Sequence, residues 1–159
     1  MLRFGLDTPS VIFVKIPGLT VSVAHQTPML YKIWFSGGCY VTNANVHYFI
    51  RFMVDDLLLV DNKLLPNTEN RQTLLPAIGN SLVLIDSIGA SFLRSSDSTG
   101  SSFTCAKYEI VYLPPGVHVI NAVVRTTSPS LYLHAGTLIV ELIQYEKNAK
   151  INLQYPLEL

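Results

Sequence analysis

Several stretches of this chain read as β-strands that are apolar on both faces. In "VHVINAVV" (residues 117–124) and "TLIVELI" (residues 137–143), apolar side chains occupy positions of both alternating sets, and "FIRFMV" (residues 49–54) has the same property. Successive side chains of a strand point to opposite faces of its sheet, and a strand in one wall of a lone sandwich needs only one apolar face. A fold for this chain therefore has to bury the second face, either against loops of the same chain or against another subunit.

The composition favours burial against another subunit. The chain has 159 residues, which fits a single domain over residues 1–159. Hydrophobic residues make up 49% and charged residues only 14%, whereas a typical globular chain is about a quarter charged. A monomer with so few charges would expose large apolar patches.

The spacing of apolar and turn residues predicts an all-β fold. Short apolar runs rich in β-branched and aromatic residues alternate with Gly, Pro, Asn and Asp, which predicts about nine to ten strands in an antiparallel β-sandwich of the jelly-roll type. These strands include "SLVLID" (residues 81–86), while "DNKLLPNTEN" and residues 95–102, "SSDSTGSS", read as loops. The only helix candidate is near "IDSIGASFLRSS", and its glycine and serines disfavour a helix.

Several classes of partner and location are disfavoured. The 11 basic and 11 acidic residues balance, and they form no basic stripe for nucleic acid. No apolar run is long enough to predict membrane insertion. The first residues lack the pattern of a signal peptide, so we expect export by another route, packaging in a virion, or excision from a longer chain.

The two cysteines, Cys39 and Cys105, fit no zinc-binding spacing. We expect two buried free thiols that are not needed as a bridge. A disulfide between strands or loops is the alternative.

Four segments occur in an order that resembles a known superfamily. They are "KIPGLTVSVA", "YFIRFMVDDLLLV", "YEIVYLPPGVHVINAVVRT" and "HAGTLIVELIQY", which together cover most of residues 15–145. They resemble the globular heads of the tumour necrosis factor and complement-head superfamily, above all the bacterial and phage members at fibre tips. Those members often carry a Val-Asp-Gly hairpin and a Leu-x-x-Gly-x-His turn. Asp55-Asp56 stands here where Asp-Gly is commoner, so a different hairpin turn is expected.

The resemblance implies a tapered homotrimer in which one sheet of each subunit faces the threefold axis. Strands near that axis are buried twice, by their own core and by neighbouring subunits. The residues expected at this interface are Phe49, Phe52, Tyr108, Tyr112, Val140 and Leu142.

Among the charged residues inside predicted strands, each with apolar or aromatic residues on both sides, are Arg51, Glu109 and Glu141. Because a buried charge without a partner is costly, we expect Arg51 to pair with Glu109 or Glu141, within the subunit or across a subunit boundary. The alternative is that each points to solvent from an outer strand.

The carboxylates of Asp55, Asp56 and Asp61 are calcium candidates, although Asp is also a common turn residue. His118 follows the Pro-Pro-Gly turn, and we expect its ring to bond backbone groups there. No nucleophile elbow, phosphate loop or His-x-His metal motif occurs, so we expect no catalytic residues and no cofactor.

The sequence therefore predicts a non-enzymatic trimeric head of a surface or phage fibre. Such a head would be an adhesin that binds a glycan or a surface protein, located outside the cell, at the cell surface or on a virion. The alternatives are a structural jelly roll of a capsid, spore coat or fibre cap, and a cupin-like small-molecule enzyme.

Overall fold

A computed structural model describes residues 3–43, 45–94, 100–129, 131–145 and 152–159. Within these residues the chain forms eleven strands, one α-helix and two short 3-10 helices, so the predicted all-β sandwich is confirmed. The strands are β1 (Arg3–Leu6), β2 (Val14–His25), β3 (Met29–Val41), β4 (His47–Val54), β5 (Leu57–Val60), β6 (Lys63–Pro66), β7 (Ser91–Arg94), β8 (Ser101–Leu113), β9 (Gly116–Thr126), β10 (Leu131–Ile143) and β11 (Leu157–Glu158); the helix is α1 (Leu82–Ser87), and the 3-10 helices are Glu69–Thr73 and Pro76–Ile78.

The strands form two sheets by nested antiparallel pairing. β1 pairs with β10, β2 with β9, β3 with β8, and β4 with β5. The resulting sheets have the orders β1-β10-β3-β8 and β11-β6-β5-β4-β9-β2, and β7 also pairs with β4. The parallel pairing of β11 with β6 is the exception to the antiparallel pattern.

The main core fills the space between the two sheets. Alternate residues of β4 face this core, namely Tyr48, Ile50, Phe52 and Val54. From the opposite sheet, β3 contributes three residues that are fully buried: Tyr31, Ile33 and Phe35.

A second apolar cluster covers the other face of the larger sheet. It contains Phe13, Phe49, Met53, Leu58, Val60, Leu65, Ile85 and Val123. Residues 69–88, with the 3-10 helices and α1, supply part of this cover, because Ile85 is buried in the cluster and Leu74, Leu75, Val83 and Ile88 pack against it. The second apolar face of β4 is therefore buried by its own chain.

Two of the residues predicted to lie at the subunit interface are instead buried by their own chain. Phe49 lies in the second cluster and Phe52 in the main core, and both are fully buried within one subunit. Neither side chain is available to a neighbouring subunit.

The segment "SLVLID" is a helix and not the predicted strand. The neighbouring residues Ile85 and Asp86 are both buried on the side of the larger sheet. A strand would point them to opposite faces, whereas a short helix brings both inward. The predicted loop over residues 95–102 lies partly outside the described residues, and β8 begins at Ser101.

The hairpin at Asp55-Asp56 uses a common turn. Both residues have positive φ angles, 51° and 69°, and Asp61-Asn62 has 48° and 54°. Positive φ at both central positions is the type I′ conformation that Asp-Gly also favours. The expectation of a different turn was wrong, because aspartate tolerates this conformation.

The expectation of free thiols is also wrong. Cys39 on β3 and Cys105 on β8 form a disulfide on the core side of the smaller sheet. β3 and β8 are neighbours in this sheet although 66 residues separate the two cysteines. That adjacency depends on long-range topology, which cysteine spacing does not reveal.

Reduction of this disulfide is expected to lower the free energy of unfolding by about 2–4 kcal/mol, because the bond closes a long loop in the unfolded chain. Urea denaturation with and without reductant measures the effect. The Cys39→Ala/Cys105→Ala variant should match the reduced protein and not respond to reductant. Equal midpoints for the oxidised and reduced protein would contradict the prediction.

Candidate functional site

The smaller sheet exposes an apolar outer face. Trp34 on β3 is in register with Tyr108 on β8 and with Ile139 on β10, so the three side chains form one row across the sheet. Ile110 lies in the next row. Trp34, Tyr108, Ile110 and Ile139 are 52%, 50%, 48% and 54% exposed, and we call these four residues the aromatic face.

Polar residues flank the central row of the aromatic face on both sides. Lys32 and Glu141 lie in register on neighbouring strands, and Lys32 Nζ is 3.6 Å from Glu141 Oε2. On the other side of the central row, Ser36 is in register with Thr137. An apolar centre within a polar rim is the arrangement of a protein–protein interface.

The C-terminal segment packs beside one end of this face. The ring of Tyr155 stacks on that of Tyr112, with centroids 5.1 Å apart and planes 7° from parallel. Residues 152–154 also line a cleft of about 290 Å³ with Leu30 and Ile110. Tyr112 is thus half-covered by its own chain.

The structure separates the predicted interface residues. Tyr108 lies on the aromatic face, but Val140 packs against the main core. Leu142 is in register with the core residue Tyr31, so it is on the inner side of β10, at the end of the sandwich. Trp34 was missed, although the alternation of Lys32, Trp34 and Ser36 with apolar residues in "YKIWFS" marks an outward-facing set.

A buried ionic cluster lies between the larger sheet and residues 69–88. Asp86 accepts hydrogen bonds from Arg71 Nε at 2.9 Å, Arg71 Nη2 at 2.8 Å and Arg125 Nε at 2.7 Å. All three side chains are almost completely buried. Burial lowers the pKa of Arg125, and the Asp86 carboxylate opposes that shift.

The same two arginines hold the strand-connecting segment before β2. Arg71 Nη2 donates to the carbonyl of Val11 at 2.6 Å, and Arg125 Nη1 donates to that of Ser10 at 3.0 Å. The guanidinium of Arg125 also lies 4.7 Å above the ring of Phe49. The cluster therefore joins residues 10–11, α1 and β9.

Arg51 is buried, but its predicted ion pair is wrong. Its guanidinium donates to the backbone carbonyls of Leu59, Ile85, Asp86 and Ile88 at 2.5–3.2 Å. The last carbonyls of α1 lack partners within the helix, so they can accept these bonds. Burial lowers the pKa of Arg51 to about 10, although Asp86 and Glu109 act in the opposite direction.

The two glutamates expected to pair with Arg51 have other partners. Glu109 is in contact with Lys107, which also donates to the carbonyl of Gly89. Glu141 pairs with Lys32 on the exposed face. Carbonyl oxygens compensate Arg51 instead, and sequence carries no signal for them.

The three calcium candidates each contact groups of their own chain. Asp55 accepts from the backbone N–H of Val119 at 2.8 Å and contacts His118 Nδ1 at 2.7 Å. Asp56 pairs with Lys15 and Asp61 with Lys63. Among the described residues, no three His, Cys, Asp or Glu side chains are placed to hold a metal ion.

His118 contacts the turn backbone as the sequence predicted. Its Nε2 lies 2.9 Å from the carbonyl oxygen of Pro114, and its Nδ1 faces Asp55. Both ring nitrogens are thus occupied by contacts with oxygen atoms of the chain.

Two buried polar atoms lie beside His118. The ring centroids of His25 and Tyr31 are 5.4 and 6.1 Å from that of His118. Tyr31 Oη and His25 Nε2 are buried and have no hydrogen-bond partner among the described residues. Burial raises the pKa of Tyr31 to about 12, and the Asp55 carboxylate contributes to the increase.

Replacement of Tyr31 by phenylalanine is expected to change the alkaline pH dependence of stability. The unfolded phenol ionises near pH 10 and the folded one near pH 12, so between these values the folded state binds more protons. The free energy of unfolding of the native protein therefore falls as pH rises from about 10 to about 12. Urea midpoints across this range should fall less steeply for Tyr31→Phe. Tyr155→Phe, which removes the hydroxyl of a half-exposed tyrosine outside the aromatic face, should keep the native slope. A native slope in Tyr31→Phe would contradict the prediction.

No protein-family model, no curated protein and no solved structure matches this chain. In the part of the chain that the structure describes, no helix is long and apolar enough to cross a membrane. The aromatic face is the structural feature that supports a proposed function.

Proposed function

We propose that this protein is the non-enzymatic, homotrimeric head of a surface or phage fibre, of the tumour necrosis factor-like jelly-roll class. The observation that carries the proposal is the aromatic face on the smaller sheet. Four large apolar side chains, each about half exposed, are more than scattered surface residues. A second and third copy of the same chain would cover them.

The strand order supports the jelly-roll class. In a jelly roll, a long antiparallel ribbon rolls up so that its nested strand pairs are distributed over two sheets. The pairs β1:β10, β2:β9, β3:β8 and β4:β5 are nested in this way and alternate between the two sheets. The superfamily resemblance implies that one sheet faces the threefold axis. Because β4 of the larger sheet is covered on both faces by its own chain, we assign that role to the smaller sheet of β1, β10, β3 and β8.

The disulfide supports a location outside the reducing cytosol. Disulfides persist in oxidising surroundings such as the cell exterior or a virion surface. The Cys39–Cys105 bond is compatible with the proposed placement on a fibre.

Closed threefold symmetry would also serve attachment. It lets identical apolar faces bury one another without open-ended growth. Three ligand sites on one head would bind a repetitive surface with higher avidity than one site. The ligand classes we propose are a glycan and a surface protein.

The mass of the protein in solution tests the assembly. Light scattering on the eluting native protein should give about three times 17.6 kDa, down to low micromolar concentration. A folded species of one subunit mass would exclude the trimeric head.

A glycan array tests attachment separately. Saturable binding of the trimer to a defined sugar would support the adhesin. A trimer that ignores every sugar and every surface protein tested would favour the alternative, a jelly roll that serves assembly only.

A further inference from the structure

A second cleft lies far from the aromatic face in the fold, where the segment between β1 and β2 meets the end of β9. It has a volume of about 320 Å³ and is lined by Pro9, Ser10, Val11, Arg125 and Thr127. Ligand pockets typically combine apolar walls with a few polar groups in a volume of about 300–1,000 Å³. This cleft has that composition, with proline and valine beside one buried arginine.

Arg125 has an unused hydrogen-bonding nitrogen. Its Nε donates to Asp86 and its Nη1 to the carbonyl of Ser10. Its Nη2 is buried and has no partner among the described residues, although the side chain is only 3% exposed. Buried donors are almost always satisfied, so a partnerless one points to a bound water or ion.

The charges around this nitrogen leave an excess of one positive charge. Arg71 and Arg125 share the single carboxylate of Asp86. Arg51 donates to four backbone carbonyls, which satisfy its N–H groups without neutralising its charge. A monoanion would neutralise the Arg71–Asp86–Arg125 group.

We propose that this cleft binds a small molecule with one carboxylate and an apolar body. The carboxylate accepts a hydrogen bond from Arg125 Nη2, and the apolar body lies against Pro9 and Val11. Because Nη2 is buried, binding requires the side chains that line the cleft to part, while the carbonyls of Ser10 and Val11 keep their hydrogen bonds to the two arginines. The site requires no particular oligomeric state.

Benzoate and benzamide provide the test on the intact native chain of 159 residues. The two probes have the same shape, but only benzoate carries a charge. We expect saturable calorimetric binding of benzoate at constant ionic strength, at least about tenfold tighter than that of benzamide. Equal binding of both probes, or no saturable benzoate binding, would overturn the proposal.

Two tryptophan substitutions test whether benzoate binds in the cleft. Val11→Trp fills the cleft from its exposed wall and leaves the arginine cluster unchanged. Ile12→Trp is the matched control, because Ile12 is equally exposed but does not line the cleft. We expect Val11→Trp to weaken benzoate binding by at least about tenfold and Ile12→Trp to leave it unchanged. Unchanged binding in Val11→Trp, with its melting temperature preserved, would overturn the proposed site.

Discussion

Replacement of Asp86 by asparagine is expected to lower the free energy of unfolding by about 3–5 kcal/mol. The substitution keeps the size of the side chain but removes the carboxylate that is bonded to both Arg71 and Arg125. Two guanidinium groups would then be buried without a counter-charge, and the asparagine amide would present N–H groups where acceptors are needed. Because domains are stable by only about 5–15 kcal/mol, this is a large share of the total.

Asp61→Asn is the matched control for this substitution. Asp61 pairs with Lys63 at the surface, and asparagine tolerates its positive φ angle. Its effect should stay below about 1 kcal/mol. Urea denaturation at one fixed subunit concentration measures both variants, since association also contributes to apparent stability.

A triple replacement distinguishes the effect of uncompensated charge on stability from the effect of altered packing. Asp86→Leu combined with Arg71→Met and Arg125→Met removes all three charges together, and such apolar replacements of buried ionic groups are often neutral or stabilising. Recovery of stability in this variant would confirm that the uncompensated charge is the cause. A wild-type midpoint for Asp86→Asn alone would contradict the prediction.

The sequence predicted the sandwich because its signal is local. Two-residue alternation locates most residues of β2, β3, β4, β8, β9 and β10. Turn residues do not mark every strand end, because Pro17-Gly18 lies inside β2, at an irregularity in its pairing with β9, and Gly37-Gly38 lies inside β3. The helix at Leu82–Ser87 was missed because tertiary contacts decide its conformation. Ile85 packs in the second cluster and Asp86 binds two arginines that are distant in sequence.

Two-sided strands show the limit of periodicity. The pattern of "FIRFMV" correctly indicates that both faces are buried, and β4 is buried on both. The pattern does not indicate which part of the molecule covers the second face, because any apolar surface can pack against that face. For Phe49 that surface comes from the same chain. The outer face of the smaller sheet carries Trp34 and Tyr108, and we propose that a partner subunit covers this face.

The partner of a buried charge is equally hidden from sequence. Arg51 had to find partners, and the prediction considered carboxylates or exposure to solvent but not backbone carbonyls. The acceptors are carbonyls at the end of α1 and in β5, a solution that any backbone can provide. The sequence therefore indicates that a buried charge needs hydrogen-bonding partners, but it does not indicate which groups supply them.

Replacement of Trp34 by glutamate is expected to convert the proposed trimer into folded monomers of 17.6 kDa. Trp34 is central in its row, between Tyr108 and Ile139. In the proposed assembly it is covered by neighbouring subunits, and threefold symmetry would bring three carboxylates into the same buried region. An unpaired charge there is costly. In the isolated subunit the same position is half exposed, so the fold itself should tolerate glutamate.

Leu84→Glu is the matched control, because it adds the same charge at an apolar side chain that is 51% exposed. Leu84 lies on α1, whose segment covers the larger sheet, on the side opposite the aromatic face. Light scattering should report about three subunit masses for Leu84→Glu and one for Trp34→Glu, with unchanged circular dichroism in both. A trimeric Trp34→Glu variant would show that the aromatic face is not the interface. Dissociation by Leu84→Glu alone would move the interface to the helical cover, where residues 69–88 would then contact the neighbouring subunit.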